Sequence, residues 1–110
     1  MYRPLITFAF LVLTSSIFSQ NFGSLKGKVL NSETGFPLEG ATIIVEDSDF
    51  FAISDQNGFF QILDLPTTSY NITTSFIGFK SQTKFNVIVK SVGNQSLDYT
   101  LNPLSDILDE

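Results

Sequence analysis

Carboxylates are the commonest ionisable side chains in this chain. Eleven Asp and Glu stand against six Lys and Arg, and there is no His, Cys or Trp. Without His the commonest general base and the commonest metal ligand are both missing, and without Cys there is no thiolate nucleophile and no disulfide. Paired carboxylates can still act as acid and base, but these fall mostly in turn-like stretches and no spacing announces a pair. The sequence therefore predicts no catalytic residue and no cofactor. The densest oxygen cluster is Asp47, Asp49, Asp55 and Asn57, and hard oxygen ligands suit Ca²⁺. Its spacing does not match the calcium loop of about twelve residues, and no acidic residue stands where the bidentate ligand belongs. Asp and Asn are also the default residues of turns, so these four are read as turn residues.

Two other patterns bear on binding. Phe50-Phe51 and Phe59-Phe60 are adjacent aromatic pairs. In a strand, neighbours point to opposite faces, so one Phe of each pair faces away from the core. An outward Phe is either a docking patch or is covered by a loop or neighbouring domain. Asn71-Ile72-Thr73 and Asn94-Gln95-Ser96 match the glycosylation triplet, a match that arises often by chance.

The elements that position these residues begin after an unusual leader. Met1-Tyr2-Arg3 is followed by an uncharged, mostly apolar run to Phe18, then Ser19 and Gln20. This is the layout of a secretory signal peptide, with cleavage expected after Ser19. The run is shorter than the roughly 20 apolar residues needed to span a bilayer. No cysteine is present to carry a lipid. Removal of residues 1–19 takes Arg3 and leaves five lysines against eleven carboxylates, a net charge of −6. That balance argues against nucleic acid and anionic lipid surfaces as partners.

From Leu25 the chain alternates in short runs broken by turn residues, with no sustained helical period. Strands are expected at 25–31, 41–47, 50–54, 59–65, around 70–76, 83–90 and 95–102. In the first, Leu25, Gly27 and Val29 share one face and Lys26 and Lys28 the other; in the second, Ala41, Ile43 and Val45 share a face. Asp55-Gln56-Asn57-Gly58 carries an Asn-Gly turn signal and predicts a β-hairpin between the third and fourth strands. Seven strands at this spacing make an all-β, seven-stranded sandwich occupying residues 20–102.

Taken in order, "GKVLNSETGFPLEGATIIVED", "ISDQNGFFQI", "SFIGFK" and "LDYTL" resemble the carboxypeptidase regulatory-like domain, in the version found at the N-terminus of TonB-dependent outer-membrane receptors of Bacteroidota. The matching positions are Gly27 and Val29; Thr34, Gly35, Pro37, Leu38, Gly40 and Ala41; Ser54, Asp55, Gly58 and Phe60; and Ser75, Gly78 and Phe79. Ser54 stands where the family usually has Thr and keeps the hydroxyl. The resemblance implies a transthyretin-like (prealbumin-like) Greek-key sandwich that is periplasmic and non-catalytic, and whose motif residues serve the fold. Gly35 and Gly58 fit turns of positive φ, Pro37 presets φ, and Gly40 and Ala41 permit close packing.

In that family an acidic and apolar stretch leads into the short strand-forming box that pairs with TonB. Residues 103–110 resemble that lead-in, which makes Asp106, Ile107, Leu108, Asp109 and Glu110 the candidate partner-binding residues. The valine-rich box expected next, and the plug and barrel of a receptor, are not within these 110 residues. The resemblance thus implies an N-terminal receptor domain whose partners are the plug and barrel or the TonB system, monomeric by itself and tied to the membrane only through the barrel. The alternative is a stand-alone secreted β-sandwich that binds a protein or glycan through a sheet edge or the outward Phe residues.

Overall fold

The computed structural model describes residues 21–92 and 95–104. The proposed signal peptide and the candidate residues Asp106 to Glu110 lie outside the described residues. The strands are β1 (Phe22–Asn31), β2 (Thr42–Val45), β3 (Phe51–Ile53), β4 (Phe59–Pro66), β5 (Ser69–Ser75), β6 (Gln82–Ile88) and β7 (Tyr99–Leu101). They form two sheets, one ordered β4-β1-β7 and the other β3-β2-β5-β6. The architecture is the all-β sandwich that the alternation predicts.

Alternation also decides what is buried. Leu25 and Val29 of β1 face inward, while the intervening Lys26 points out. Ile43 and Val45 of β2 and Phe60 and Ile62 of β4 do the same. These side chains meet Leu65, Ile72 and Leu101 in one continuous core between the sheets. Burying each such side chain contributes about 1.5–3 kcal/mol, so in a chain without cysteine this core carries the stability. At its centre Tyr99 is fully buried, and its hydroxyl donates to the Ile72 carbonyl of the opposite sheet at 2.6 Å. Removal from water pushes the Tyr99 phenol up to about 12, with a smaller opposing pull from the Thr74 hydroxyl. Thr74 Oγ1 itself makes no hydrogen bond of full geometry.

The long strand β1 is shared lengthwise. Its first part pairs antiparallel with β4, from Phe22↔Pro66 to Lys28↔Phe59. Its last three residues pair parallel with β7, from Val29↔Tyr99 to Asn31↔Leu101. Between them Gly27 lies against the Leu97 carbonyl, closer than any Cβ would permit, and Leu97 N–H donates to the Lys26 carbonyl at 2.7 Å. Glycine at 27 is thus what admits the chain entering β7.

One expectation is corrected. β3 and β4 do not form a hairpin: β3 pairs with β2, and β4 with β1, in different sheets. The Asp55–Gly58 turn is tight, with Gly58 N–H bonded to the Asp55 carbonyl at 2.8 Å, but it is a corner between sheets. The turn chemistry was legible, yet a tight turn between two alternating runs reads the same whether the strands pair or diverge.

Candidate interaction surface

Several of the family-like motif residues, Val29, Pro37, Leu38, Gly40, Ala41, Ser54, Asp55 and Gly58, meet at or beside that corner. Ser54 is buried; its hydroxyl donates to the Leu38 carbonyl at 2.6 Å and accepts from Ala41 N–H at 2.9 Å. The backbone adds Gly40 N–H to the Ser54 carbonyl and Ser54 N–H to the Ala41 carbonyl. Gly58 has φ of +79°, and a Cβ there would come within 2.8 Å of the Val29 carbonyl oxygen and 2.9 Å of Pro37 Cβ. Val29 N–H in turn donates to the Gly58 carbonyl at 2.8 Å. Gly40 also has a positive φ, +89°, but its nearest neighbour, Phe76, would sit 3.8 Å from a Cβ. Its requirement is therefore conformation, where the sequence suggested close packing. These positions latch the loop before β2 to the end of β3, which is work for the fold.

The oxygen cluster is likewise consumed by turns. The Asp55 carboxylate accepts from Asn57 N–H and Phe59 N–H, both at 2.9 Å, capping the corner. Asp47 has φ of +63° in the turn between β2 and β3. The Ser48 hydroxyl braces that turn by donating to the Val45 carbonyl and accepting from Phe50 N–H. Among the described residues no group of three or more His, Cys, Asp or Glu side chains is placed to hold a metal ion. The Asn71 carboxamide accepts from Asn86 N–H at 3.1 Å, where Asn86 takes φ of +56° in the irregular stretch of the β5–β6 pairing.

The Phe pairs split as alternation requires. Phe60 is in the core and Phe50 packs against it, whereas Phe51 and Phe59 are 61% and 53% exposed. The structure adds two residues that the sequence reading left out. Ile44 lies opposite Phe51 in the β2–β3 ladder, and Ile53 opposite Thr42, all four on the outer face. Their signal was the same period of two that marked the core: Ile44 alternates with inward Ile43 and Val45, and Ile53 is two residues from Phe51.

Around the corner, Ile53 and Phe59 form the apolar wall of a shallow groove of about 740 Å³. Lys26, Lys28, Gln61 and Asp98 line the rest of it, on the outer face of the β4-β1-β7 sheet. Asp98 is already engaged, accepting from Lys28 N–H and the Ser96 hydroxyl. The two lysine side chains and the Gln61 carboxamide are polar groups the groove offers a visitor. On the far side of the same sheet end, Lys84 Nζ lies 5.1 Å from the centre of the Tyr99 ring and donates to the Asp98 carbonyl, which ties β6 to the entry of β7.

A family model for the CarboxypepD_reg-like domain matches residues 25–110. Human carboxypeptidase D is 37% identical over 79 residues, which cover 72% of this chain and 6% of that protein. The chain thus spans a small fraction of the length of the curated relatives it matches. Among solved structures, the Bacillus anthracis TIE protein aligns with a TM-score of 0.60 at 21% identity, over 76% of this chain and 17% of that one. A type II cohesin–X-dockerin complex from Acetivibrio cellulolyticus aligns with a TM-score of 0.59 at 19% identity, over 70% of this chain and 52% of that one. At these identities the two structures are similar in fold alone.

Proposed function

The chain belongs to the CarboxypepD_reg-like domain family, a regulatory and non-catalytic type of β-sandwich, and on that footing we propose that it is the exported N-terminal domain of a TonB-dependent outer-membrane receptor for nutrient uptake. In this reading residues 1–19 direct export and are removed. The sandwich then stands in the periplasm ahead of a plug and barrel, and the acidic, apolar residues Asp106 to Glu110 lead into the strand that pairs with TonB. Its partners are protein segments of the receptor and of the TonB system, and it has no reaction of its own.

The observation that carries this reading is the span of the family match, which continues past the last strand and takes in the whole of residues 103–110. Residues 103–110, read here as the lead-in, thus lie within the matched span. A second support is the use of the motif residues. Gly58, Pro37, Ser54 and Ala41 are all spent on one structural latch, as befits a module that positions other parts of a protein.

The coding DNA after codon 110 tests the proposal. A frame that continues into a valine-rich box and then a long β-rich region is the expected result. A stop codon with no barrel-encoding sequence downstream in that frame would overturn it.

A further inference from the structure

The corner that separates β3 from β4 leaves β3 as an edge strand, with β2 on one side only. Ser54 N–H bonds to the Ala41 carbonyl and Val45 N–H to the Phe50 carbonyl, so the ladder is closed at the Ala41/Ser54 and Val45/Phe50 pairs. Antiparallel pairs alternate between hydrogen-bonded and open, which makes Ile43/Ala52 bonded and directs the backbone groups of Phe51 and Ile53 away from β2. Among the described residues neither of these backbones has another hydrogen-bond partner outside the ladder. Phe51 and Ile53 are 61% and 58% exposed, and Ile44 extends the same apolar face onto β2. Unpaired amides and outward apolar side chains at alternate residues are what an added strand uses: the backbone gives affinity and the alternate pockets give selectivity.

Charge fixes what that strand carries and which way it runs. The turn leading into β3 holds Glu46, Asp47 and Asp49, all exposed, and Ser48 holds it in shape. Beyond Ile53, at the other end, Lys26 and Lys28 share the groove with Asp55 and Asp98. Those two carboxylates are already held, by the Asn57 and Phe59 amides and by Lys28 N–H and the Ser96 hydroxyl respectively. We propose that the β3 edge receives an extended peptide segment, antiparallel to β3, with two apolar residues at alternate positions opposite Ile53 and Phe51 and a basic residue following them over Asp49. A second copy of this chain is a poor occupant. Antiparallel self-pairing centred on Ala52 sets Asp49 of one copy opposite Asp55 of the other, and like charges directly opposite are destabilising. This proposal is independent of the receptor reading, because the edge is a property of the sandwich.

The probes are two blocked heptapeptides of alternating threonine and valine, one ending in two lysines and its twin ending in two glutamates. Each is titrated into the isotope-labelled chain and followed by amide NMR. The lysine peptide is expected to shift Phe51, Ala52 and Ile53 and to bind about fivefold more tightly than its twin, the size that two exposed ion pairs permit. Asp49→Lys should abolish that preference without lowering the melting temperature. Phe51→Thr with Ile53→Thr keeps strand-forming residues and should remove binding of both peptides. Equal binding of the twins, shifts confined to β6 or to the Lys26–Lys28 groove, or no binding by about 1 mM would each overturn the proposal. So would concentration-dependent dimerisation through β3 in sedimentation.

Discussion

Replacing Ser54 by Ala removes one oxygen and leaves the backbone path of the latch without its bridge. The hydroxyl donates to the Leu38 carbonyl at 2.6 Å and accepts from Ala41 N–H at 2.9 Å, and the two residues it joins are themselves buried. The variant therefore loses two hydrogen bonds and strands one acceptor and one donor out of reach of water. Each bond contributes about 1 kcal/mol net, and a buried polar group left unpaired costs about 1–3 kcal/mol. Since the Leu38 and Ala41 groups share one small site and relax together, the total is expected at about 2–4 kcal/mol. For a domain of this size that lowers the melting temperature by roughly 10–25 °C. The assay is urea unfolding followed by near-ultraviolet circular dichroism, with the slope of the transition unchanged and the midpoint shifted. Ser54→Thr restores the hydroxyl and should fall within about 1 kcal/mol of the natural chain, its extra methyl being the only added volume. A Ser54→Ala loss under about 0.5 kcal/mol, or a Ser54→Thr loss as large as that of Ser54→Ala, would refute the latch.

Gly58→Ala should cost about 2–4 kcal/mol, because a Cβ meets the Val29 carbonyl and Pro37 and also occupies a left-handed conformation; Gly35→Ala, with a similar φ of +76° and open space around it, should cost only about 1 kcal/mol by the same urea assay. Gly27→Ala should destabilise more than Gly35→Ala despite its ordinary strand conformation, since its Cβ collides with the Leu97 backbone. Tyr99 gives a pH dependence of definite sign. Its phenol is neutral in both states below about pH 10, the unfolded chain ionises first, and with the native value near 12 stability falls through that window by about 1.4 kcal/mol per pH unit. Tyr70 is also raised by burial and adds to the same fall, so Tyr99→Phe is read in a Tyr70→Phe background by urea midpoints at successive pH values.

The period of two made the strands legible, because a strand with one face in the core alternates: Leu25 and Val29 shared a face by spacing alone, as did Ile43 and Val45, and the structure buries both pairs. What spacing does not encode is which strands pair. The Asp55–Gly58 turn satisfied every local requirement of a hairpin, yet β3 pairs with β2 and β4 with β1. The choice is made by contacts distant in sequence, such as Val29 N–H on the Gly58 carbonyl. The same applies to Gly27, whose reason for being glycine is the approach of Leu97, which lies far along the chain. Of the surface, spacing showed that one Phe of each adjacent pair faces outward, and burial identifies them as Phe51 and Phe59. Their union with Ile44 and Ile53 into one face required the register of β2 against β3. The free β3 edge follows only from the crossing between sheets.

Residue-resolved amide exchange of the chain bears most directly on that crossing and on the edge it exposes. With β3 paired to β2 alone, Ala52 N–H is bonded and exchanges slowly, while Phe51 and Ile53 N–H face solvent and exchange within the dead time of the experiment. Protection of Phe51 and Ile53 matching that of Ala52, together with cross-strand contacts from β3 to β4, would show a hairpin at 55–58 and contradict the architecture described above.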